Sequence, residues 1–295
     1  MNRSQIKSLL ILILGSFFIG FAPIFVRLSE IGPVATGFWR MFLSLIPLYI
    51  ISKFLGYPNN NRPRLNKILG DLWIFIGVGF FFAGDLGSWH IALHHTSVTN
   101  SLIIVNSTIF VVAIGARIFY KELISKYLIA GALIAFTGVT FLILGSASKI
   151  VVVHQETLYG DLLSCVTNLF YAAYLLQLRY ASQKYPVIII LFISYFFCGL
   201  FLLILALILG EQIIPETLYG WTIVAALALV CQIGGQSLIA KEIKNLPVSF
   251  TSMVLLSQVL VGAFASAIIL SEPITIIQIA GAALLAFGIY WARPR

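Results

Sequence analysis

The chain has 295 residues, 60% of them hydrophobic and 9% charged, with a mean hydropathy of +1.04 and a formal net charge of +8. A water-soluble domain of this size is excluded, because its surface could not be kept polar. The positive charge does not point to nucleic acid, since the basic residues are distributed loop by loop rather than gathered in one patch.

Apolar runs of about 20 residues, each long enough to cross a bilayer core of about 30 Å, recur along the chain. They cover 7–28, 33–55, 71–93, 97–118, 126–146, 158–180, 187–209, 217–240, 247–270 and 274–292, so ten transmembrane helices are expected. The first run follows Arg3 and Lys7 and shows no small-x-small cleavage site, which reads as a retained helix rather than a signal peptide. Pro23, after Gly20, is expected to bend it by removing a backbone hydrogen bond, and is the gating candidate. Span two carries Arg40, and span three opens on Asp71 and carries Asp85, Trp89 and His90. Asn106 and Ser107 lie in span four, and Glu122 stands at the turn before span five. Span six opens on Asp161 and holds Asn168, Tyr171 and Tyr174 as a rough stripe at helical spacing. Gln232 and Gln236 share a face of span eight, Gln258 lies in span nine, and Glu272-Pro273 precedes span ten. The glycine-preceded Asp71 and Asp161 read as carboxylates satisfying free helix amides, and Glu122 and Glu272 as turn residues. Cys165, Cys198 and Cys231 fall inside spans without metal spacing, so they read as packing residues, and no metal or cofactor is expected.

Of the 18 basic residues, 15 fall at the N-terminus, in every second loop, or at the C-terminus; Arg27, Arg40 and Lys149 are the exceptions. Both termini are therefore expected in the cytoplasm. The spans also repeat: Ile129-Ala130-Gly131-Ala132 returns about 150 residues later as Ile279-Ala280-Gly281-Ala282, with Gly138 returning as Gly288. The same offset carries Glu122 onto Glu272 and Ser107 onto Ser257. Five spans per copy is an odd number, so the second copy must enter the membrane upside down, the plan of a transporter. Lys and Arg surround Glu122 but not Glu272, as two turns on opposite sides of a membrane require. The expected organisation is a first five-helix repeat over 1–146, an external linker over 147–157 and a second repeat over 158–295.

An ionisable group inside a bilayer costs a few kcal/mol and is a functional candidate. Arg40 and Asp85 lie roughly 10 and 12 Å below the outer ends of antiparallel spans, close enough in depth to meet. They form either a structural ion pair or a substrate and proton site, with Asp85 the candidate for proton coupling. Trp89, four residues after Asp85 and on its face, offers a π surface to a cationic or aromatic ligand, or else anchors the interface. His90, His94 and His95 read as interfacial or solvated. Asn106, Ser107, Asn168, Tyr171, Tyr174, Gln232, Gln236 and Gln258 either bond neighbouring helices or line one central cavity. Gly131/Ala135, Ala263/Ala267 and Ala282/Ala286 provide small surfaces for packing across the repeat or in a homodimer.

Pro33 with Phe38-Trp39-Arg40, Tyr120-Lys121-Glu122 leading into Gly131-Ala132 and Gly138, its echo Ser271-Glu272 leading into Gly281-Ala282 and Gly288, and Gly160-Asp161-Leu162 together carry a resemblance. The chain resembles the EamA-like branch of the drug/metabolite transporter superfamily over roughly residues 8–292. Asn106-Ser107 stands where that family tends to carry a proline, which leaves the shape of span four open. The resemblance implies an all-α polytopic protein of two inverted five-helix repeats. It further implies alternating access moving an amino acid, vitamin, nucleoside or drug-like molecule across the cytoplasmic, in bacteria inner, membrane. No GxxxxGK[ST] motif is present, so energy is expected from gradients, with protons as a candidate. An uncoupled facilitator is the alternative. A lipid-modifying enzyme is the remote one, because His90, His94 and His95 lack any accompanying catalytic spacing.

Overall fold

The computed structural model describes residues 3–54, 65–147, 158–269 and 274–294, and among these no strand occurs. Glu272 and Pro273, most of the expected linker, and Arg62, Arg64 and Lys149 lie outside the described residues. In chain order the helices of the first half are α1 (Arg3–Ile19), α2 (Ala22–Leu28), α3 (Pro33–Phe54), α4 (Leu65–Gly70), α5 (Leu72–Ala92), α6 (Val98–Asn106), α7 (Thr108–Tyr120) and α8 (Lys126–Ala147). Those of the second are α9 (Leu158–Lys184), α10 (Val187–Ile208), α11 (Leu218–Ala226), α12 (Ser237–Glu242), α13 (Val248–Leu255), α14 (Ser257–Ile269) and α15 (Ile276–Trp291). Eight helical stretches are long and apolar enough to cross a bilayer. The expected sixth and tenth spans correspond to α9, made less apolar by its polar stripe, and to the 16-residue α15.

Several spans are jointed. The first breaks at Gly20-Phe21, and Pro23 sits in the first turn of α2, where its missing N–H removes no helical bond. Pro23 thus starts a new helix rather than bending an intact one. Span four is interrupted at Ser107, between α6 and α7, and span nine at Leu256, between α13 and α14. Between α11 and α12 the backbone winds as a π-helix over Leu227–Gln236.

The repeat is visible as a crossing of backbones. A Cβ on Gly131 would lie 2.7 Å from the Gly288 carbonyl oxygen, and one on Gly138 2.7 Å from that of Gly281. Gly131 corresponds to Gly281 and Gly138 to Gly288, so equivalent residues pair crosswise and α8 and α15 run antiparallel. Antiparallel equivalents are what an inverted duplication requires. The contact face of α15 is Gly281, Leu285 and Gly288. Ala282 is only half-buried and Ala286 exposed, so that expected small-residue pair does not form it. Other packing obeys the same two-fold: α5 lies on α9 as α1 lies on the π-helical segment, and α10 packs on α5 as that segment packs on α3.

Contacts define two ends. Ser8 Oγ donates to Glu242 (2.7 Å), Arg179 reaches the Ile243 carbonyl (2.6 Å), and Gly131 meets Ala292. The starts of α1 and α8 therefore share one end with the finishes of α9, α12 and α15, here termed the terminal end. At the opposite end Glu211 accepts from the Val34 and Ala35 amides (3.3 and 2.8 Å), capping α3, while Glu30 accepts from Thr217 at the start of α11. Asp71 does not cap α5; its carboxylate accepts from Tyr185 Oη at 2.7 Å. Asp161 accepts from Thr96 Oγ1 (2.6 Å), tying α9 to the turn before α6.

The two ends are not equally closed. α13, the terminal-end half of span nine, packs on α7 and is buried at every position from Val248 to Leu255. Its counterpart in the repeat is α6, where Ser101 alone among residues 99–105 is buried. Among the described residues no comparable packing joins α6 to α14 at the opposite end.

Candidate functional site

The π-helical winding puts Gln232 and Gln236, both buried, toward the centre of the bundle. Arg40 of α3, 7% exposed, donates through Nε to Gln232 Oε1 at 2.7 Å. Its guanidinium lies 6.0 Å from the centroid of the Phe82 ring, at the outer reach of a cation–π contact. Phe82 stacks on Tyr174 (4.4 Å, 17°), and Tyr174 on Tyr171 (6.1 Å, 19°). Gln236 Nε2 donates to Tyr174 Oη. One ladder thus runs from cation through three rings, held at Arg40 and at its middle ring, Tyr174, by glutamines of a single π-helical segment. Ser44 Oγ, bonding the Arg40 carbonyl (2.6 Å), supports the backbone beneath it.

Arg40 and Asp85 form no direct ion pair. Asp85 is half-buried on α5 and its carboxylate accepts no hydrogen bond from a described residue, and the terminal guanidinium nitrogens of Arg40 likewise have no acceptor among the described residues. Charged atoms left without protein partners in a membrane interior are costly unless they face water or a ligand.

Beside the ladder lies a cavity of about 30 Å³ lined by Asn106, Thr108, Tyr171, Ser252 and Gln258 with apolar neighbours, room for about two waters. Thr108 and Gln258 are equivalents at the repeat offset, as are the lining residues Val105 and Leu255. The cavity therefore straddles the two-fold between the breaks of spans four and nine. Asn106 donates to the Leu102 carbonyl (2.8 Å), leaving its Oδ1 for the cavity side.

Not every expected residue joins this centre. Asn168 donates to the Ile104 carbonyl (2.8 Å) and to Ser107 Oγ (2.7 Å), so both brace the interruption of span four. Trp89 keeps company with His90 (ring centroids 5.3 Å), and its buried indole N–H has no acceptor. His90, near the end of α5, is buried, whereas His94 and His95 are exposed. Phe82, Ser44, Thr108 and Ser252 escaped the sequence reading. Phe82 is one of 23 phenylalanines and carries no signal, but the 150-residue offset from Gln258 marks Thr108. Among the described residues no cluster of His, Cys, Asp or Glu could hold a metal ion.

Fold and centre together define a multi-pass helical membrane protein, duplicated head to tail around a polar interior. The chain belongs to the EamA-like transporter family, whose model matches residues 6–144 and again 158–293. A solved crystal structure, described only as that of a protein, superposes with a TM-score of 0.77 over 97% of this chain and 96% of its own, at 15% identity. That likeness concerns the fold alone. No curated protein matches the chain.

Proposed function

We propose that the protein is a secondary transporter that carries a small organic solute across the bacterial cytoplasmic membrane by alternating access. In this reading ten helices cross the membrane, both termini are cytoplasmic, and repeats over 1–146 and 158–295 are joined by an external linker. The observation that carries it is the unequal burial of equivalent segments, α13 wholly buried and α6 largely not. A duplicated fold closed at one end only has a second arrangement of similar energy available, in which the halves exchange roles.

The solute would meet the free groups of Arg40 and Asp85, the Tyr171–Tyr174–Phe82 stack, and the amides of Asn106 and Gln258. One cation, one anion and a set of ring faces suit an amphipathic or zwitterionic molecule better than a multiply charged anion. Protons would couple through Asp85, and Pro23 would act where the first span is jointed. An uncoupled facilitator predicts the same binding residues, but accumulation indifferent to an imposed pH gradient.

The test is a thermal-shift screen of purified protein against amino acids, vitamins, nucleosides and cationic drugs. A ligand at a hundred times its Kd raises stability by about 2.7 kcal/mol. At least one solute is expected to stabilise the wild type and to lose that effect in Asp85→Asn and Tyr171→Ala. If none stabilises the protein and none exchanges across proteoliposomes, the reading fails.

A further inference from the structure

The terminal end is held by a cluster of groups drawn from both halves of the chain. Glu122, at the turn between α7 and α8, accepts from the Val248 amide (2.8 Å) and from the Ser249 amide and hydroxyl (3.3 and 2.7 Å). It thereby caps α13 across the boundary between halves, a service that Pro247, the residue at the cap position, does not provide. The equivalent α6 carries a local cap, Ser97, which accepts from the Asn100 amide at 3.1 Å. Arg179 of α9 completes the cluster. One guanidinium nitrogen donates to the carbonyls of Ile243 and Leu246 at the end of span eight, another lies 3.6 Å from Glu122, and the group sits over the Tyr120 ring at 5.4 Å. Both side chains are largely buried, at 14% and 11% exposure. At the repeat offset Arg179 becomes Ser29, whose hydroxyl bonds Thr36 instead of the turn that ends at Thr96.

We infer that Glu122 and Arg179 form a latch that fastens α12 and α13 to the turn after α7, and that it must release before a solute can pass the terminal end. This rests on the alternating-access reading. A fork that binds two carbonyls and a carboxylate at once holds three chain segments together, and lysine cannot reproduce that geometry. Removing it frees α13 to leave α7 while the central ladder stays untouched.

The experiment places single cysteines at Ser252 and at its repeat equivalent Leu102, with Cys165, Cys198 and Cys231 replaced by alanine. Labelling by a membrane-impermeant maleimide is timed in oriented vesicles. Arg179→Gln and Glu122→Ala are each expected to speed labelling of Ser252→Cys from the terminal side roughly tenfold and to slow that of Leu102→Cys from the opposite side. Arg179→Lys should fall between these variants and the wild type, and it decides the matter if the others do not assemble. Unchanged labelling of Ser252→Cys overturns the latch. Faster labelling at both positions overturns the two-ended reading on which the latch rests.

Discussion

Arg40→Ala is expected to lower solute transport at least about tenfold while leaving an assembled protein. Hydrogen bonds to a charged group contribute about 1.5–3 kcal/mol, and each 1.4 kcal/mol is a factor of ten in binding. The residue touches nothing at the crossing of α8 and α15, so the scaffold does not depend on it. Its loss does strand Gln232, which is fully buried and has its carbonyl oxygen committed to Arg40 Nε. The π-helical turn that presents both glutamines would then keep one pin, Gln236 on Tyr174, and lose the other. Arg40→Lys is expected to fail almost as badly, because a primary ammonium cannot bond Gln232 sideways and still offer a planar fork to a ligand. Initial uptake rates in proteoliposomes, with thermal stability measured alongside, check both variants. Transport within about threefold of wild type in Arg40→Ala would remove this residue from the site.

Gly138→Leu should have the larger effect on folding. A Cβ there would stand 2.5 Å from the Leu285 amide nitrogen and 2.7 Å from the Gly281 carbonyl oxygen, both backbone atoms that cannot swing aside. Overpacking against movable side chains already costs about 1–3 kcal/mol, and here the two helices themselves must part. A loss of about 3 kcal/mol corresponds to roughly 10 °C in a chain of this class. Gly281→Leu, its partner across the crossing, should behave alike, whereas Gly70→Leu, with open space around its Cβ position, should be neutral. Melting curves of the three variants in detergent separate them. Equal stability would mean that α8 and α15 are not held backbone to backbone.

Much of the architecture could be read from the chain because bilayers impose a length and a polarity on every span, and because a 150-residue echo exposes duplication directly. Gly131, Gly138, Gly281 and Gly288 were legible as markers of the repeat, but their packing role was not, since the small-residue spacing pointed to Ala282/Ala286 rather than to the Gly281/Gly288 face of α15. The centre was legible only in part. Arg40, Asp85, Gln232 and Gln236 stand out as polar groups in apolar runs, but periodicity at 3.6 residues per turn cannot foresee a π-helical winding. Phe82 joins the ladder through tertiary stacking that no local pattern records. Glu122 looked like a turn residue and Arg179 like one more loop cation. What makes them partners is that two distant turns arrive at the same end of the bundle, and that depends on how all the helices cross.

The joints of the first, eighth and ninth spans lie side by side, since α1 packs on the π-helical segment, on α12, on α13 and on α14. Across the interior stand α5, α9 and α10, straight rods without interruption. Duplication has therefore copied the blueprint without copying the stiffness: α9 is unbroken where its counterpart, the first span, is hinged, and α5 is regular where the eighth span is underwound. Deformation will collect at these joints, leaving α5, α9 and α10 to serve as their anvil.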